Sequence, residues 1–147
     1  MHDLSFILSS SAFAFDAGGP LLFLALGVFA LVVVVLIIAV EAVALRLLKW
    51  GGFGRALLDS FLMNLVSTVI GVPLLFGYAT IFGETLGVRY VFAFALSFVI
   101  SAAIEGGVLL ALRRRPSRET WRAAVISNAA SYAAVTLLMV ALAVAGN

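Results

Sequence analysis

The chain has 147 residues, of which 65% are hydrophobic and only 11% are charged. Soluble domains are typically about 45–50% apolar and about 25% charged, so a soluble globular fold is excluded and lipid is the expected solvent. The sequence contains no cysteine, which excludes disulfides, cysteine-ligated metals and thiol chemistry. The net charge is +2, and we expect no nucleic-acid partner because the basic residues are placed as a membrane topology signal.

Residues 1–19 precede the first long apolar stretch. The first 15 positions contain no Lys or Arg, so they do not fit a secretory signal peptide, which needs a basic n-region. Phenylalanine, leucine and isoleucine are interleaved there with serine, and the segment is too short to span a bilayer. We predict that residues 1–19 form a short segment at the membrane interface.

Four apolar stretches follow, and each is long enough to cross a bilayer, which takes about 20 helical residues. Backbone polar groups in lipid must be hydrogen-bonded within their own segment, so these stretches are predicted to be helices. The sequence therefore predicts an all-α integral membrane protein with four transmembrane helices. Their expected ranges are about 20–48, 56–82, 88–112 and 119–145.

A set of polar residues occurs twice inside these helices, 64 positions apart. Polar residues are scarce in this chain, so their repetition indicates an internal duplication. Each copy has two helices, so both copies enter the membrane in the same orientation, and a pseudo-twofold axis along the membrane normal is expected. The predicted units are two tandem hairpins, residues 20–82 and 83–147. The repeated set is Glu41, Asn64 and Ser67 in the first hairpin, and Glu105, Asn128 and Ser131 in the second.

Eight of the nine basic residues lie at two connections, one inside each predicted hairpin. The positive-inside rule then predicts that both connections are cytoplasmic and that both termini lie outside, in a protein of a prokaryotic cytoplasmic membrane. Binding of anionic lipid headgroups is a secondary expectation for the second group. The first group is Arg46, Lys49 and Arg55, and the second is Arg113, Arg114, Arg115, Arg118 and Arg122.

The repeated polar residues form the candidate site. Glu41 lies eight positions before Lys49 and Asn64 nine positions after Arg55, so both are roughly 12–13 Å from the basic rim and can hydrogen-bond. One interpretation is an interhelical clamp, in which a protonated Glu donates to the Asn carbonyl and the Asn amide donates back. The other is a cation or proton site, because carboxylate and amide oxygens are hard ligands and intramembrane acids are functional candidates.

Sequence motifs for catalysis, phosphate binding and dinucleotide binding are absent, and we expect neither enzyme activity nor a metal or other cofactor. The leading hypothesis is a small membrane protein that acts by association, either as an accessory or structural subunit of a larger membrane complex or as a homo-oligomer. Its partners would then be lipids and other membrane subunits or copies of itself. The alternative is a small ion- or proton-coupled transporter or channel that uses the Glu/Asn cluster.

Overall fold

The computed structural model describes residues 18–82, 88–113 and 115–146. This part of the chain contains four helices that are long and apolar enough to cross a membrane. Their bounds agree with the predicted ranges to within three residues, which confirms the prediction of four long apolar helices. Most of the predicted N-terminal segment lies outside the described residues. The helices are α1 (Gly18–Leu47), α2 (Phe53–Phe82), α3 (Val88–Leu112) and α4 (Ser117–Ala145).

The chain divides into two compact units, Met1–Val34 and Val35–Asn147. The described part of the first unit is the N-terminal section of α1, whose apolar side chains, such as Phe23 and Leu31, are exposed. The second unit contains the rest of α1 together with α2, α3 and α4, and in it α2 packs against α3 and α3 against α4.

The apolar core of the second unit lies near the two connections that carry the basic residues. Many of its members are alanines, and small residues allow membrane helices to approach closely. This close approach brings side chains from different helices within hydrogen-bonding distance just beyond the core. The core residues are Ala42, Leu45, Trp50, Ala56, Met63, Leu109, Ala123 and Ala124.

Helix α1 ends in a Schellman motif. The Trp50 amide donates to the Leu45 carbonyl at 2.9 Å, and the Lys49 amide donates to the Arg46 carbonyl at 3.1 Å. This geometry places Lys49 at a φ of 58°, a position that glycine usually occupies. The motif turns Trp50 back onto Leu45, and both side chains are buried in the core.

Gly106 marks a close contact between α3 and α4. A Cβ atom at this position would lie 2.4 Å from Cζ3 of Trp121, whereas nothing lies within 4 Å of the corresponding point at Gly107. The Trp121 ring therefore packs directly on the backbone of α3.

We expect Gly106→Ala to lower the free energy of unfolding by about 1 kcal/mol, because the indole ring must move away from its packed position. Gly107→Ala is the matched control and should cause no loss, since its Cβ points into open space. Unfolding in mixed micelles, titrated with a denaturing detergent, measures both. Equal losses for the two variants would contradict the close contact with Trp121.

Candidate functional site

Glu41 is a buried carboxylate on α1 that accepts hydrogen bonds from two other helices. From α2, the Ser60 hydroxyl donates to Oε2 at 3.0 Å, and the Asn64 amide donates to the same oxygen. From α4, the Ser131 hydroxyl donates to Oε1 at 2.9 Å. The carboxylate is only 1% exposed, so these neutral donors replace the water that it loses on burial.

Glu105 on α3 is held in a closely similar way. The Asn128 amide of α4 donates to Oε2, and the Ser67 hydroxyl of α2 donates to Oε1 at 3.1 Å. A third donor comes from its own helix, where the Ser101 hydroxyl lies 2.9 Å from Oε1. The two carboxylates together thus connect all four helices within the second unit.

The side-chain amides of both asparagines are fixed in orientation. Asn64 Nδ2 donates to Glu41 and, at 3.0 Å, to the Ser60 carbonyl. Asn128 Nδ2 donates in the same way to Glu105 and, at 3.0 Å, to the Ala124 carbonyl. Both hydrogens of each amide are therefore used, and a flipped amide would place two oxygens against each other.

Asn128 Oδ1 is buried and has no hydrogen-bond partner among the described residues. One half of the expected clamp is present in this pair, since the Asn128 amide donates to Glu105, whereas the Asn128 carbonyl has no described donor. An unpartnered buried carbonyl is costly, typically by about 1–3 kcal/mol, and each such case requires an explanation.

Three of the serine hydroxyls that donate to the Glu carboxylates, those of Ser60, Ser67 and Ser131, have a backbone carbonyl as a second acceptor within reach. Ser131 Oγ lies 2.9 Å from Glu41 Oε1 and 3.0 Å from the Asn128 carbonyl. Ser67 Oγ is placed equivalently, at 3.1 Å from Glu105 and 3.2 Å from the Asn64 carbonyl. Because a hydroxyl has one hydrogen, each serine can transfer its hydrogen bond from the carboxylate to a backbone carbonyl.

A pocket of about 340 Å³ adjoins this cluster. Its polar end is formed by the predicted site residues, which are buried or half-buried. Its other end is apolar, with Leu74 and Phe94 exposed at the surface, so the pocket connects the polar cluster to the outside of the second unit. Tyr132 lines it between these ends, and its ring packs edge-on against Phe94 at 5.0 Å. The polar end contains Glu41, Asn64, Ser67, Glu105, Asn128 and Ser131.

The structure therefore places all six predicted cluster residues around one pocket. Sequence reasoning missed two further donors, Ser60 and Ser101, to which it assigned no role in the site. Each lies four positions before a cluster residue on its own helix, Asn64 and Glu105 respectively, and this spacing places both on one helix face.

A second polar group lies at the connections between helices. Asp59 of α2 is 1% exposed and forms a two-pronged ion pair with Arg113, with Nε to Oδ2 at 2.9 Å and Nη2 to Oδ1 at 2.6 Å. The indole N–H of Trp50 donates to the same carboxylate at 3.1 Å. Hydrogen bonding to Asp59 raises the pKa of Arg113 above its ordinary value.

Arg115 holds the connection between α1 and α2. Its Nη2 donates to the Trp50 carbonyl at 3.0 Å, and its Cζ lies 4.8 Å from the centre of the Trp50 ring, a cation–π geometry. Arg113 and Arg115, predicted as topology or headgroup residues, thus also make intramolecular contacts. Arg114 lies outside the described residues, and Arg118 and Arg122 are exposed.

Removal of one partner from the Asp59–Arg113 pair should destabilise the protein, because it leaves a buried charge unpaired. We expect Arg113→Gln to lower the free energy of unfolding by about 3 kcal/mol, and Arg118→Gln, the exposed control, by less than about 0.5 kcal/mol. A double-mutant cycle with Asp59→Asn measures the coupling between the two side chains. A coupling energy near zero would show that the pair contributes nothing.

Neither a protein-family model nor a curated protein nor a solved structure matches this chain. Within residues 18–82, 88–113 and 115–146, no group of three or more His, Cys, Asp or Glu side chains is arranged to hold a metal ion.

Proposed function

We propose that this protein is a small ion- or proton-coupled membrane transporter in which Glu41 and Glu105 form the site for the transported positive charge. The observation that carries the proposal is the pocket, which extends from the surface of the second unit and is lined by both Glu41 and Glu105. A carboxylate that serves only as a clamp needs no such access, whereas a transport site must be reached by its ion. Intramembrane acids that face a cavity are functional candidates for the same reason.

The charge balance of the cluster supports the same proposal. Every described donor to the two Glu carboxylates is a neutral serine or asparagine. The described lining of the pocket contains no Lys or Arg, and Arg113 is already paired with Asp59. Buried acids without a counter-charge are stabilised by a proton or a cation, which is what a transport site must bind and release.

We also propose the tandem duplication, with two like-oriented hairpins related by a pseudo-twofold axis along the membrane normal. Three kinds of hydrogen bond occur twice with a shift of 64 positions, each within one hairpin. A fourth kind also occurs twice and crosses between the hairpins in both directions. A twofold relation produces this crossing, because each hairpin gives its serine to the other hairpin's Glu. The pairs are Asn64–Glu41 with Asn128–Glu105, Asn64–Ser60 with Asn128–Ala124, Ser67–Asn64 with Ser131–Asn128, and Ser67–Glu105 with Ser131–Glu41.

The proposed orientation places the two basic connections in the cytoplasm and both termini outside, in a prokaryotic cytoplasmic membrane. In this orientation the polar cluster lies in the cytoplasmic half of the bilayer. The apolar end of the pocket then lies on the side of the cluster away from the basic connections, toward the outer half.

The absence of cysteine from the sequence makes this orientation directly testable. We expect Ser117→Cys, at the start of α4, to react with a membrane-impermeant maleimide only in inside-out vesicles. Gly146→Cys, just after α4, should react only from the outside. Labelling of both cysteines from one side would contradict a membrane span by α4, which lies between them, and the opposite pattern would invert the topology.

Transport itself is tested in proteoliposomes. We expect wild-type protein to carry proton, sodium or potassium flux at least about tenfold above protein-free vesicles, measured with an internal pH dye and by isotope uptake. The double variant Glu41→Gln and Glu105→Gln should fall to the background, because it removes both negative charges and keeps the side-chain shape.

Glu119→Gln is the matched control, since Glu119 lies exposed in the first turn of α4 and does not line the pocket. It should retain the wild-type flux. Wild-type flux no greater than that of empty vesicles would refute the transport proposal.

Association with other membrane subunits or with a second copy, the leading hypothesis from the sequence, stays a prediction. The exposed apolar side chains of the helices, such as Phe23 and Val91, suit lipid and a protein partner equally. The pocket favours the transport proposal. Neither lipid solvation of the helices nor contact with another subunit requires a pocket beside the buried acids.

A further inference from the structure

We infer that the pocket binds an organic ammonium ligand: a protonated primary amine attached to an apolar or aromatic body. This inference rests on the proposed function, since it names the class of positive charge that the site takes. Four features support this ligand class: the polar end of the pocket, its apolar end, its volume and the unpartnered carbonyl of Asn128.

The polar end offers a set of acceptors that matches an –NH₃⁺ group. Such a group has three donors and one positive charge. One ionised Glu of the pair Glu41 and Glu105 supplies the matching negative charge. Asn128 also lines the pocket, and its buried Oδ1 is an acceptor that no described residue uses. Because the amide nitrogen is held by Glu105 and the Ala124 carbonyl, the free oxygen is presented in a fixed orientation.

The apolar end matches a ligand body. Along α2 the pocket lining extends from Asn64 to Leu74, which is roughly 15 Å of helix, and along α3 it extends from Glu105 back to Ala93. Phe94 and Tyr132 supply aromatic surface between the acids and the exterior. A ligand with a charged head and an apolar body satisfies both ends at once.

The volume and the ligand set disfavour a bare divalent metal ion. At about 340 Å³ the pocket falls in the range of about 300–1,000 Å³ that is typical of small-molecule sites. A hard divalent cation takes six or more oxygen ligands at short range. No cluster of three or more His, Cys, Asp or Glu side chains is found in the described part of the chain.

The serines allow the carboxylates to accept the ligand. When an ammonium group approaches, Ser131 and Ser67 can turn their single hydrogens to the backbone carbonyls of Asn128 and Asn64, which already lie within reach. The carboxylate oxygens Glu41 Oε1 and Glu105 Oε1 are thereby freed without leaving a serine hydrogen unsatisfied. Binding and release then need only hydroxyl rotation at these positions.

The test is a direct binding measurement with 2-phenylethylammonium chloride on protein in maltoside micelles, which contain no amine. We expect saturable binding by titration calorimetry that is at least about tenfold tighter than that of the neutral analogue 2-phenylethanol. The quaternary analogue, 2-phenylethyl-trimethylammonium, should bind about tenfold more weakly, since it has no N–H for Asn128 Oδ1. This comparison needs no variant, so a folding defect cannot obscure it.

Variants then locate the site. Asn128→Ala should weaken binding about tenfold and remove the preference for the primary amine, whereas Ser127→Ala is the matched control. Ser127 is equally buried, precedes Asn128, and donates only to carbonyls of its own helix. Glu41→Gln with Glu105→Gln should abolish binding. Equal affinity for the ammonium and the alcohol, or unchanged affinity in the double Gln variant, would overturn the inference.

Two further measurements identify the source of the ammonium group and distinguish failure of this inference from failure of the proposed function. Competition by phosphatidylethanolamine in nanodiscs of phosphatidylglycerol would assign the ammonium to a lipid headgroup, and absence of competition would assign it to a free amine. Ammonium binding that depends on the Glu pair, without any flux, would refute transport and retain the site. Glu-dependent flux of protons or metal ions without ammonium binding would retain transport and overturn this inference.

Discussion

The arrangement of the second unit depends on one constraint: two carboxylates are buried among apolar helices and must be satisfied by their neighbours. A buried carboxylate without donors costs several kcal/mol, so the helices can pack only where serine and asparagine side chains reach it. Glu41 binds α1 to α2 and α4, and Glu105 binds α3 to the same two helices. The alanines around them, such as Ala42 and Ala124, keep the helix axes close enough for these short side chains to meet.

Asp59, a third buried acid, differs from Glu41 and Glu105 because it has a charged partner. Asp59 is neutralised by the two-pronged contact with Arg113 and receives a further hydrogen bond from Trp50. The charge of Asp59 is therefore balanced within the protein, and the ion pair connects the end of α3 to the beginning of α2. The described donors to Glu41 and Glu105 are all neutral, although basic residues lie within a few helical turns. In the described part of the chain, the counter-charge thus pairs with Asp59 at the connections, and the pocket acids have none.

Counting along the helices predicted much of this structure from sequence. The four spans follow from apolar length, and the meeting of Glu41 with Asn64 follows from a uniform helical rise on either side of a short turn. The crossed contacts, Ser131 to Glu41 and Ser67 to Glu105, depend on how the two hairpins face each other, which no local pattern specifies. The ion pair of Asp59 was missed for the same reason, because Arg113 is 54 positions away and its placement is set by tertiary packing.

The direction of the Asn–Glu hydrogen bonds joins the structural and the functional interpretations of the cluster. If Glu105 donated to the Asn128 carbonyl while accepting from its amide, the pair would be closed and would serve packing alone. Instead the second amide hydrogen is bound to the Ala124 carbonyl, and Oδ1 is left as a buried acceptor beside the pocket. The same contacts that hold α3 to α4 therefore aim this oxygen. Helix packing contributes the rigidity that the proposed binding site needs, and the cost of the unpartnered oxygen would be recovered by a ligand that donates to it.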